Sequence, residues 1–207
     1  MSGLTAWLLV GLSFGVVVVR RPSTAVGLVT AQALALALAA ITAHQSGWAR
    51  SGDAVITAIM LAARALALGA LFRYAMARSR DTQPVAGRFS PVVRASVAVA
   101  LALALSALVP GFGLTSPAGE GAVLTLVATG LACAATRRAT LFQVLGIVLV
   151  ENGLALAALG SPRGSLVVEL GVTFDLTLIA VVAAMFHLRI FAELGAGDST
   201  VLRSLHD

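Results

Sequence analysis

Four ionisable residues stand inside long apolar runs, where ionised side chains are costly. They are Arg64, Glu151, Glu169 and Asp175. A charge near mid-bilayer costs about 2.5–3.5 kcal/mol on insertion scales. Such residues persist where they line a polar path or satisfy one another, so proton or ion transfer and interhelical clamping are the chemistries in view. Glu151 lies in Glu151-Asn152-Gly153, ~18 Å from the start of its run at 1.5 Å per helical residue. Apolar residues flank it, making it a candidate for reversible protonation near neutral pH. Asn152 can donate and accept, and Gly153 lets a neighbouring helix come close, so the three form a small polar niche.

Glu169 and Asp175 share a later run and stand ~9 Å apart in helical rise, off one face. They cannot form a tight dyad, and read either as successive stations for a proton or, for Glu169, as a group that snorkels to the interface. Glu169 lies nearer the outer end, and Asp175 is deeper. A short Ser161–Gly164 turn places Asp175 level with Glu151, making it the expected nearest partner in the path. His187, at the inner end, is either a proton exit or a solvated helix end beside Arg189. Arg64 stays protonated and cannot relay a proton. Its expected role is to pair with a carboxylate that the sequence does not identify.

The elements that must carry these residues follow from composition. The chain has 207 residues, 59% of them hydrophobic and 11% charged. A soluble domain has about 25% charged residues. A soluble enzyme, a disordered chain and a nucleic-acid-binding module are therefore excluded. Seven runs read as transmembrane helices: Leu4–Val19, Thr24–Ala43, Ala54–Met76, Val92–Val109, Gly121–Thr136, Ala139–Leu159 and Leu166–Ile190. The expected fold is an all-α polytopic membrane bundle of seven helices. Pro22, Pro91 and Pro110 punctuate its boundaries.

All 14 basic residues are arginine, and their distribution sets the expected orientation. Arg20 and Arg21 follow the first run, the reverse of a secretory signal, so that run reads as an uncleaved span. With the N-terminus outside and the C-terminus cytoplasmic, Arg50 and Arg163 fall outside and Arg64 falls within a span. All other arginines fall inside. The expected organisation is a three-helix part (1–76), a cytoplasmic loop (77–90), a four-helix part (91–190) and a cytoplasmic tail (191–207). Val201, Leu202 and Leu205 make that tail either a docking helix or a frayed end.

Other chemistry has no signature. Metal-ligand spacing, phosphate loops and nucleophile–base pairs are missing, so no cofactor, metal or catalytic residue is expected. Cys133 reads as a small buried hydrophobe, and Trp7 and Trp48 as interfacial belt residues.

The stretch Arg137-Arg138-Ala139-Thr140-Leu141-Phe142-Gln143-Val144-Leu145-Gly146, followed by Glu151-Asn152-Gly153, resembles the second helix of the small subunit K type of respiratory complex I. The whole plan is similar to component E of hydrogenase-4 and related formate hydrogenlyase complexes. It shares a basic residue in helix three, acids in the last helix and a Leu-Arg-Ser-Leu tail. Residues 121–190 form the subunit-K-like part, sharpest over 137–190.

There are departures. Relative to Gly146, Glu151 falls about one turn later than the subunit K glutamate, while Asn152 stays in register. Asp175 or Glu169 corresponds to the glutamate of that family's third helix. Arg64 replaces a lysine of component E. The resemblance implies a non-catalytic subunit of an energy-converting complex in the bacterial cytoplasmic membrane. Its carboxylates would contribute to proton translocation beside antiporter-like membrane subunits, with hydrogenase-like soluble subunits reached indirectly. The rival readings are an Mrp-type cation/proton antiporter subunit and a structural scaffold without transport.

Overall fold

A computed structural model of the chain describes residues 3–45, 51–79, 89–111, 113–114 and 116–160. Six helices occupy them: α1 (Gly3–Val18), α2 (Pro22–Gln45), α3 (Ser51–Ser79), α4 (Pro91–Leu108), α5 (Pro117–Thr136) and α6 (Thr140–Gly160). The described residues contain no strand. Five of the helices, α2 to α6, are long and apolar enough to cross a membrane, and α1 is a shorter apolar helix. The architecture is that of a multi-pass membrane protein. The expected seventh span, Leu166–Ile190, lies outside the described residues, with Glu169, Asp175 and His187 on it.

The surface is inverted relative to a soluble protein. Trp7, Leu103 and Leu108 are 76%, 67% and 80% exposed, whereas Gln32, Arg64, Glu151 and Asn152 are buried. In water that distribution would be unfavourable on both counts. In hydrocarbon it is what burial of polar groups requires.

Proline and serine set the helix starts. Ser90 caps α4 by accepting from the Val93 N–H at 3.3 Å, and Pro91 follows in the first turn. α5 begins earlier than the apolar run suggests. Pro117, Ala118 and Gly119 are helical rather than loop, because Pro117 supplies a preset φ and Glu120 then lies in the first turn. The Glu120 carboxylate accepts the Leu114 N–H at 3.0 Å, folding the preceding connection back onto the helix. Gly113, with φ of +69°, makes that reversal.

Helices α5 and α6 form a hairpin joined by Arg137–Ala139 and cross where two glycines meet. A Cβ on Gly146 would lie 2.6 Å from the Gly130 carbonyl oxygen, and one on Gly130 would meet the Gly146 oxygen equally closely. Only glycine permits that approach. Around the hairpin, α1 packs on α2, α4 and α5, and α2 packs on α3 and α6. The three N-terminal helices are thus interleaved with the later ones.

Candidate functional site in the membrane interior

Three consecutive residues of α6 face three different helices. Each helical residue turns about 100° from the last. Glu151 pairs with Arg64 of α3, Asn152 bonds Gln32 of α2, and Gly153 lies against Val123, Leu126 and Val127 of α5. Enclosure on three sides explains why all three are buried. A Cβ on Gly153 would come within 3.1 Å of Leu126 Cβ, so glycine here lets α5 close over the polar pair behind it.

Arg64 Nη2 and Glu151 Oε2 form an ion pair, and both side chains are almost wholly shielded. Asn152 Nδ2 donates to Gln32 Oε1 at 3.0 Å, and Gln32 Nε2 donates to the Leu9 carbonyl of α1 at 2.9 Å. The ion pair and this amide relay make one polar layer through α1, α2, α3 and α6. Every contributor is well inside its helix. Glu151 is ~16 Å from the first residue of α6, and Gln32 ~15 Å from that of α2.

Polar capacity remains in that layer. Glu151 Oε1, Asn152 Oδ1 and Arg64 Nε have no hydrogen-bond partner among the described residues. Beside Arg64 is a cavity of about 10 Å³, walled by Val29, Thr30, Ala33, Leu68, Gly69 and Val148 among others. That is room for about one water molecule. The chemistry open to this arrangement is proton exchange at Glu151 against a fixed positive charge, since only the carboxyl can change protonation state. Among the described residues no group of three or more His, Cys, Asp or Glu side chains is placed to hold a metal ion.

No protein-family model, curated protein or solved structure matches the chain.

Of the residues singled out by sequence, Glu151, Asn152 and Arg64 come together here, and Glu151 is the carboxylate that Arg64 meets. Gln32 was not among them. Its signal was faint: a lone amide in the run Thr30-Ala31-Gln32-Ala33-Leu34, which a search for charges passes over. Arg94 and Arg137 also differ from their reading as ordinary flanking charges. They are 1% and 2% exposed and converge on the last turn of α1. Arg94 Nη2 donates to the Val18 carbonyl at 3.3 Å, and Arg137 Nη2 to those of Val17, at 3.0 Å, and Val19. The Arg137 guanidinium also stacks 4.0 Å over the Phe142 ring. Arg94 of α4 and Arg137 of the α5–α6 connection thus satisfy carbonyls at the end of α1.

Proposed function

We propose that the chain is a non-catalytic membrane subunit of a hydrogenase-4- or complex-I-like energy-converting assembly, and that Glu151 is its central protonatable group. In this reading the protein has seven spans in the bacterial cytoplasmic membrane, with the N-terminus outside and the C-terminus inside. Antiporter-like subunits cover its flanks, Asp175 is the next station after Glu151, and redox centres sit in soluble subunits. The observation that carries the reading is the buried Arg64–Glu151 pair at mid-depth between α3 and α6. Ionisable residues so placed lean towards transport roles. The resemblance of the sequence plan to component E, a basic residue in helix three and a Glu-Asn-Gly motif included, points the same way.

The direct ion pair also favours a second reading, a clamp with no transport role. The experiment that separates them is Glu151→Gln in the intact membrane complex, recovered in mild detergent. Glutamine keeps shape and removes titration. Normal subunit composition with impaired ion-coupled turnover supports the proton path. Normal assembly and normal turnover favour the clamp, and recovery of the active chain without large polytopic partners refutes the subunit assignment.

A further inference from the structure

The outward face of α4 carries a groove of about 550 Å³, lined by Val18, Val92, Ala95, Ser96, Val99 and Leu103 among others. Small residues, Ala95 and Ala100, are part of its lining, and nearly all of its wall is apolar. From Val92 to Leu103 the groove runs ~16 Å along the helix. One leaflet of a bilayer with a ~30 Å core is about 15 Å deep. The groove therefore has the length of one acyl chain in one leaflet and stops short of the end of α4 at Leu108.

The mouth of the groove has the opposite character. Val18, which lines it, ends α1, and exposed Arg20 and Arg21 follow within ~7–10 Å of chain. Arg94, Arg137 and Arg138 belong to the same end of the bundle, since Arg94 and Arg137 hold the α1 carbonyls there. Arg20 and Arg94 are close enough for their charges to repel. The carboxylate residues of the described helices are elsewhere: Asp53 and Glu120 open α3 and α5 at the opposite end, and Glu151 is at mid-depth. The N-terminus of α4, with Pro91 on the groove wall, adds its positive helix end. Nε and Nη1 of both Arg94 and Arg137 find no partner among the described residues. Cations gather at a groove mouth with no described anion to meet them.

We propose that this groove binds one anionic phospholipid, its acyl chain along α4 and its phosphate at Arg20 and Arg21. Basic pockets between transmembrane helices recognise acidic headgroups in this manner. Arg94 and Arg137 raise the local positive potential from behind and are not required to touch the lipid.

The test is native mass spectrometry of the full chain in mild detergent, titrated with phosphatidylglycerol or phosphatidylcholine. Arg94 and Arg137 are unsuitable targets because they brace α1, so exposed residues are changed instead. The expected result is one retained phosphatidylglycerol per chain, held at least tenfold tighter than phosphatidylcholine. Arg20→Ala with Arg21→Ala should cost roughly thirtyfold for phosphatidylglycerol and little for phosphatidylcholine. Arg73→Ala, which removes an exposed charge on α3, should change neither. Ala95→Trp, which fills the groove, should abolish retention of both. Equal affinity for the two lipids, or retention unchanged by Ala95→Trp, overturns the proposal. So does a chain dimer that Ala95→Trp disrupts, which would make a second copy the occupant.

Discussion

Asn152 of α6 donates to Gln32 of α2 at 3.0 Å, one residue beyond the carboxylate that pairs with Arg64 of α3. A single turn of α6 is thereby tied to two helices by two different interactions, one neutral and one ionic. The difference matters because the two respond differently to substitution. Removing one partner of a buried ion pair leaves a bare charge, whereas removing one amide leaves only an unmet dipole.

Arg64→Met or Glu151→Met alone should destabilise the protein by about 3–5 kcal/mol, and the double substitution by far less. The reason is that the double variant strands no charge. Thermal unfolding of the four proteins in one detergent gives the coupling. Additive losses in the double variant would mean that the two side chains do not act as a pair.

Asn152→Leu should cost about 0.5–2 kcal/mol, in the range of interhelical hydrogen bonds within membranes. Gln32→Leu should cost more than Asn152→Leu, because Gln32 also donates to the Leu9 carbonyl. A double-mutant cycle checks the bond itself, and zero coupling between positions 32 and 152 would remove the relay.

Gly146→Val should disrupt the α5–α6 hairpin, since even a Cβ meets the Gly130 backbone at 2.6 Å. Overpacking of this kind costs about 1–3 kcal/mol or more where backbone must move. Gly121→Ala is the control, because nothing lies within 4 Å of a Cβ there. Comparable losses at the two glycines would show that the crossing is not tight.

Arg137→Met should destabilise by about 1.5–3 kcal/mol through loss of charge-assisted bonds to the end of α1. Arg138→Met, at the half-buried neighbouring position, should cost less. Limited proteolysis near Arg20 gives a second readout, since the freed α1 terminus should be cut faster in the first variant only.

The helices were legible because hydrocarbon imposes one pattern on every span. Apolar runs closed by Pro22, Pro91 and Pro110 located α2 and α4 to within a few residues, and arginine pairs marked the ends. The start of α5 was missed because Pro117-Ala118-Gly119 has the composition of a turn and becomes helical through its proline and the acid behind it. At the site, Glu151 and Arg64 announced themselves by being ionisable among alanine and leucine. Their pairing was not legible, because it depends on how α3 is rotated beside α6, which no local spacing encodes. Gln32 stayed hidden because an amide in an apolar run carries a weaker signal than a charge. The bracing of α1 by Arg94 and Arg137 was masked by the positive-inside pattern, which accounts for arginines at helix ends without asking what they touch.

The two halves of the buried ion pair are made at different times. Ribosomes deliver α3 long before α6, so the guanidinium of Arg64 enters the bilayer with its carboxylate still unsynthesised. Until then the strongly apolar Val55–Ala77 stretch must carry it alone, against an insertion cost of about 2.5–3.5 kcal/mol. The N-terminal helices therefore wait, inserted but unlocked, for a later hairpin to arrive. Translation arrested before residue 151 should leave α3 inserted but without a fixed neighbour in cross-linking, and completion of α6 should fix it in place.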